Sequence, residues 1–253
     1  MRFHAAALAV FVFATVIGVG SASASCSNAS LKGVWGYTHG RQSGLPYYTG
    51  YILGQFTADG QGNLTAGSWT EITNGASTQT GTFTGTYSIA KNCAGTLTFG
   101  TEDNSPNPSH FNIALDNSNS GFQLVQTDGG FTHSGIGIAQ GTATCGLTGK
   151  EQTLAARIVG LDADGDPEEM VGQIKLDGKG DVSGTITVTN YGEISKAAVA
   201  GSYTQQSDCL GTMQIVPKGF TAMNFSTVGV NGNKELLLIE TDASTFRDGN
   251  AQQ

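Results

Sequence analysis

Residues 54–64 read GQFTADGQGNL, and residues 172–182 read GQIKLDGKGDV. In each stretch an apolar residue alternates with polar ones, then comes Asp-Gly-x-Gly, then a second apolar run begins. Period-two alternation places successive side chains on opposite faces of a strand, and glycines that tolerate positive φ supply the tight turn between two strands. The stretch is therefore half of one hairpin and half of its partner, and the chain contains it twice.

Further pairs extend the repeat in order and at matching spacing. Gly85-Thr86-Tyr87 recurs as Gly201-Ser202-Tyr203, each tyrosine being followed six residues later by a cysteine and eight later by a glycine. Leu124-Val125-Gln126-Thr127-Asp128 recurs as Leu238-Ile239-Glu240-Thr241-Asp242, and Gly137-Ile138-Ala139-Gln140 as Gly249-Asn250-Ala251-Gln252. A whole domain has been duplicated. The first copy is read over 25–144 and the second over 145–253, each of a size suited to one domain.

Eight strands are expected in the first copy, near 31–39, 47–58, 63–73, 79–90, 95–100, 109–116, 121–128 and 131–141. Phe83, Tyr87 and Ile89 fall on one face with Thr82, Thr84 and Thr86 opposite, and Phe111, Ile113 and Leu115 repeat the pattern. Eight sequential hairpin-linked strands with one apolar face close most simply into an up-and-down barrel, which leaves no sheet edge. The fold class is thus all-β, two tandem antiparallel eight-stranded barrels, with a β-sandwich as the alternative. Composition agrees: 37 glycines and only 13% charged residues disfavour long helices and suit short strands joined by turns.

Residues 1–24 read as a signal peptide: Arg2, an apolar run from Ala5 to Val19, then Ala22-Ser23-Ala24 as the small-x-small cleavage signal. The run is too short and Ala-rich for a membrane span. The remaining chain carries 11 basic and 20 acidic residues, a net charge of −9 with neutral histidines. Scattered lysines in an acidic chain give no footprint for nucleic acid and none for an anionic membrane surface. Membrane insertion as a lipid-facing barrel is not expected either, because the non-core strand face is Thr, Ser, Gln and Lys. The protein is read as secreted or periplasmic.

The cysteines follow the duplication: Cys26 and Cys93 in copy one, Cys145 and Cys209 in copy two. Four cysteines in an exported chain allow three pairings, of which a duplicated domain favours Cys26–Cys93 and Cys145–Cys209. If strand one rises, strand four descends, so the Cys93 turn lies at the same end as Cys26. That bond would draw the N-terminal segment across one mouth, leaving the opposite mouth, with the long connections near 40–47 and 101–108, as the place for a ligand.

Two resemblances follow from these residues. Leu31-Lys32-Gly33-Val34-Trp35 resembles the Gly-x-Trp opening of lipocalin and avidin-like barrels, which implies an eight-stranded barrel whose Trp packs the closed end. Copy two lacks this Trp. The whole chain also resembles exported bacterial proteins of uncharacterised activity carrying the F-x-x-D-G-x-G barrel repeat, a likeness that implies no chemistry.

Candidate chemistry is sparse. His39, His110 and His133 are far apart and read as surface or strand-end groups. There is no Gly-x-Ser-x-Gly elbow and no HExxH, and no cofactor is implied. Asp162, Asp164 and Asp166 sit at alternate positions like calcium ligands, but Pro167 stands where an EF-hand has its Gly and Gln173 where it has its Glu, so a solvated acidic hairpin loop is the simpler reading and no metal is assigned. Copy one holds 13 aromatic residues and copy two 5. Arg41, Tyr47, Tyr48 and His39 are the candidate ligand-binding residues, at the open mouth of copy one, for a small apolar or sugar-like ligand. The favoured reading is a non-enzymatic binding protein with an unknown small ligand or surface partner. The alternatives are a structural or cell-surface interaction module and an enzyme without a recognisable motif.

Overall fold

The computed structural model describes residues 25–41, 50–73, 78–100, 107–129, 133–141, 145–146, 149–190, 192–243 and 245–253. Strands β1 (Gly33–Arg41), β2 (Gly50–Ala58), β3 (Asn63–Thr73), β4 (Gln79–Ile89), β5 (Ala94–Phe99), β6 (Ser109–Leu115), β7 (Gly121–Gln126) and β8 (His133–Ala139) pair in chain order, and β8 returns to β1. Strands β9 (Gln152–Leu161), β10 (Pro167–Leu176), β11 (Asp181–Asn190), β12 (Glu193–Gln205), β13 (Leu210–Pro217), β14 (Met223–Val230), β15 (Glu235–Glu240) and β16 (Phe246–Gln252) do the same, β16 closing on β9. Two closed antiparallel barrels result, as the alternation predicts, and the sandwich is excluded.

The repeated turn explains its own sequence. Asp59 Oδ1 accepts hydrogen bonds from the backbone N–H groups of Gln61 (2.6 Å), Gly62 (3.0 Å) and Asn63 (3.0 Å). Asp177 does likewise with Lys179, Gly180 and Asp181 at 2.7, 3.0 and 2.9 Å. Gly60 and Gly178 hold φ of +84° and +77°, and Gly62 and Gly180 hold +118° and +119°, a region that side chains with a Cβ avoid. The turn then anchors the fourth strand of its barrel, where the backbone N–H of Tyr87 bonds Gly62 and that of Tyr203 bonds Gly180. The motif is structural in both copies.

Disulfides join Cys26 to Cys93 and Cys145 to Cys209. In barrel one the segment behind Cys26 lies across the end of the barrel. Asn28 Oδ1 accepts from the Ile89 N–H (2.8 Å), the Tyr87 hydroxyl donates to the Asn28 carbonyl (3.1 Å), and Leu31 is fully buried. Trp35 Nε1 donates to the Leu31 carbonyl at 2.7 Å, so the indole sits beneath this segment with its one donor satisfied.

One repeat correspondence is corrected. Leu124 faces Gly135 across β7–β8, and Leu238 faces Gly249 across β15–β16. Gly249 therefore matches Gly135, not Gly137. A slip of two residues leaves every side chain on its original face, so alternation in the sequence does not register it.

Each barrel has its own apolar core, but the barrels are not independent. Tyr51, Leu53 and Ile72 of barrel one form a third buried cluster with Val228, Val230, Leu237, Ile239 and Phe246 of barrel two. Here alternation fails because both strand faces are covered: all six residues of β15 are buried. Burial of such side chains contributes about 1.5–3 kcal/mol apiece, enough to hold two domains in a fixed relation. Burial in this region also lifts the Asp248 carboxyl to about 6.

Gly36 faces this third cluster, where a Cβ would meet Val230 Cγ1 at 2.5 Å and Val228 Cγ1 at 2.6 Å. Both are branched, stiff side chains. Gly36→Leu is expected to force the walls apart while leaving both cores intact. Calorimetry should then resolve two transitions in the variant where the native protein shows one. A single transition at an unchanged midpoint would remove the interface from the account.

Candidate functional site

The lumen of barrel one is filled by rings. Tyr37, fully buried, lies 5.1 Å from Phe99, 5.8 Å from Phe56 and 6.2 Å from Phe83, centroid to centroid. Trp35 meets Phe122 at 5.3 Å, and Phe99 meets Phe111 at 5.3 Å. Two glycines make room: a Cβ on Gly137 would strike Phe122 at 2.0 Å, and one on Gly67 would strike Phe83 at 2.5 Å. Among the described residues, the aromatic side chains of copy one other than Tyr51 are thus core packing. Barrel two fills the same space with Leu154, Ile158, Ile174, Val188, Met213, Ile215 and their neighbours.

Above the rings, at the end away from the disulfide, the inward positions become polar. His39 projects from β1 and His133 from β8, both buried, with Nδ1 of one 3.2 Å from Nδ1 of the other. His39 is stacked on Tyr37 (5.9 Å, 14° between planes) and lies 5.0 Å from Phe111. Sequence separation suggested unrelated surface or strand-end histidines. They stand at strand ends, but closure of β8 on β1 brings them together inside the barrel. His110 is exposed, with its Nδ1 2.8 Å from Asp128 Oδ1. Of the other residues expected here, Arg41 ends β1 with its backbone opposite His133, while Tyr47 and Tyr48 lie outside the described residues.

The same end of barrel two is built differently. Arg247 Nη1 donates to Glu240 Oε1 (2.8 Å) and Oε2 (2.6 Å), and Nη2 donates to Glu168. Arg247, Glu240 and Glu168 are 5%, 1% and 3% exposed, so three ionisable groups stand at the top of the core. Glu168, two residues beyond the acidic Asp162, Asp164 and Asp166 loop, is buried rather than solvated, and no sequence motif marks Glu240 or Arg247. In the loop itself Asp162 Oδ1 accepts from the N–H groups of Asp164 (3.0 Å) and Asp166 (2.9 Å), and its Oδ2 from Asn190 Nδ2 (2.8 Å). Period-two alternation from Leu238 would have placed Glu240 inward; its being charged argued the other way. Among the described residues, no group of three or more His, Cys, Asp or Glu is arranged to hold a metal ion.

A third feature lies outside both lumens. A cleft of about 930 Å³ runs along the groove between the barrels, bounded by β6, β7 and β8 on one side and by the segment from Asn231 to Glu235 on the other. Leu115, Ile136 and Ile138 give it an apolar floor, while Asp116, Lys234 and Glu235 line it with charge. Glu235 is 8% exposed and accepts from Asn250 Nδ2 at 2.9 Å through Oε1. The cleft exists only because two barrels are docked, and no single repeat encodes it.

No family model matches the sequence, and no curated protein does. Among solved structures, kievitone hydratase from Nectria haematococca is similar over 94% of this chain and 92% of its own, at 7% identity and a TM-score of 0.24. A likeness at that level carries no information on activity.

The charged group in barrel two sets a pH dependence. Burial raises the Glu240 carboxyl from its ordinary 4.5 to about 7, against the opposing pull of Arg247. Between those values the folded state holds a proton that the unfolded state has released, so this group's contribution to stability falls as pH rises from about 4.5 to 7. Glu240→Gln should flatten that part of a stability-versus-pH curve measured by urea unfolding; an unchanged slope would refute the assignment. Arg247→Met strands two buried carboxylates and is expected to cost about 3–5 kcal/mol at pH 8, read from the same unfolding curves.

Proposed function

We propose that the protein is an exported, non-enzymatic binding protein whose ligand site is the cleft between its barrels. The observation that carries this reading is the cleft itself: about 930 Å³, within the range of about 300–1,000 Å³ for small-molecule sites, beside lumens occupied by their own side chains. Its apolar floor and few charged groups suit a ligand with an apolar body and hydrogen-bonding substituents. Export is supported by the residue 1–24 signal and by two disulfides, which persist in oxidising compartments. No helix among the described residues is long and apolar enough to cross a membrane.

The structural-module reading keeps one specific observation in its favour. The third apolar cluster fixes the two barrels against each other, as a rigid spacer requires.

Thermal-shift screening of residues 25–253 against lipids, sugars and aromatic metabolites separates the two. Ala114 is exposed, points away from the core and lines the cleft, so Ala114→Trp fills the cleft without disturbing either barrel. A ligand of the cleft should lose roughly tenfold or more in affinity in this variant, equivalent to about 1.4 kcal/mol, and bind normally to a Tyr47→Ala/Tyr48→Ala variant. The reverse pattern would return the site to the mouth of barrel one. A screen without hits would favour the structural module.

A further inference from the structure

From the paired histidines we infer that the mouth of barrel one is a binding site for a borderline divalent transition-metal ion, held by Nδ1 of His39 and Nδ1 of His133.

The internal repeat supplies a control for what the fold itself needs at these positions. His39 lies opposite Ile52 and Gly135. Ile158 lies opposite the corresponding Met170 and Gly249 in barrel two, so Ile158 is its counterpart. By the same register His133, opposite Arg41, corresponds to Arg247, opposite Gly160. Barrel two thus completes its mouth with an apolar side chain and a guanidinium whose two terminal nitrogens bond two carboxylates. The fold therefore has no requirement for imidazole at either position. Barrel one has two, at 2% and 8% exposure, from strands that are adjacent only because the sheet closes.

The geometry suits shared coordination. Tetrahedral zinc with Zn–N bonds of about 2.0–2.1 Å sets two ligating nitrogens about 3.3–3.4 Å apart; the two Nδ1 atoms are 3.2 Å apart. In the metal-free pair one Nδ1–H donates to the other Nδ1 lone pair. A metal needs both lone pairs, so the donating ring moves its proton to Nε2, with no net change in protonation for two neutral imidazoles. Tyr37 stacked on His39 and Phe111 beside it fix that ring. Glu71 lies in the same inward row as His39, through Ile52. Since no third described side chain completes a ligand set, the remaining coordination positions belong to water or to an incoming donor. Nitrogen ligands select copper, nickel and zinc over calcium and magnesium, with copper(II) bound most tightly.

The test is calorimetric titration of EDTA-treated residues 25–253 with Cu²⁺ and, separately, Zn²⁺. One ion per chain is expected, copper the tighter. His39→Ile, which copies the residue barrel two already accommodates, and His133→Ala should each weaken binding at least tenfold; His110→Ala should leave it unchanged. Nitrogen hyperfine splitting from two imidazoles in the electron paramagnetic resonance spectrum of the copper-loaded native protein provides a readout that does not depend on how a variant folds. Absence of binding by the native chain, a spectrum without two nitrogen donors, or undiminished binding by folded His39→Ile would overturn the assignment. Loss of binding in His110→Ala alone would place the ion on the surface and overturn it equally.

Discussion

Everything in this structure depends on the hydrogen-bonded return of the eighth strand to the first. The pairs β1–β8 and β9–β16 satisfy backbone groups that an open sheet would expose as two edges. Once closed, an eight-stranded wall encloses a space just wide enough to be filled by side chains, and what fills it is set by the inward residue at each step. Barrel one answers with aromatic rings and with glycines that make room for them. Barrel two answers with aliphatic side chains and methionines. The frame is common to both; the contents are not.

Closure also fixes what happens at the two ends. At one end the disulfide and the Asp-Gly-x-Gly turn hold the chain across the barrel. At the other, inward positions fall where apolar packing gives out and polar side chains are left at the top of the core. Leaving such groups unpaired would cost several kcal/mol apiece, so each barrel pairs them internally, by imidazole against imidazole in one and by guanidinium between two carboxylates in the other. The two solutions differ in consequence. In the triad the two terminal guanidinium nitrogens are held by carboxylates, whereas the histidine pair can offer both Nδ1 atoms to a cation once the proton they share moves to Nε2.

With both lumens filled, a cleft capable of accepting a molecule remains where barrel meets barrel. The outer faces of β2, β14, β15 and β16 are apolar enough to dock, and Gly36 lets the walls approach. The cleft beside this contact is a property of the pair, and either barrel alone would present only one of its walls.

The repeat, the strand count, barrel closure, the within-copy disulfides and the glycine turns beside Asp59 and Asp177 are legible in the sequence, because they rest on alternation, positive-φ glycines and the matched spacing of two copies. Leu236-Leu237-Leu238-Ile239 carried a further signal in its broken alternation, since a strand buried on both faces has no polar side to show. The meeting of His39 with His133, the joining of Glu168, Glu240 and Arg247 into one buried group, and the cleft were decided by tertiary structure alone. These pairings span up to 94 residues of sequence, and a period of two says which face a side chain takes but not which distant strand will stand beside it.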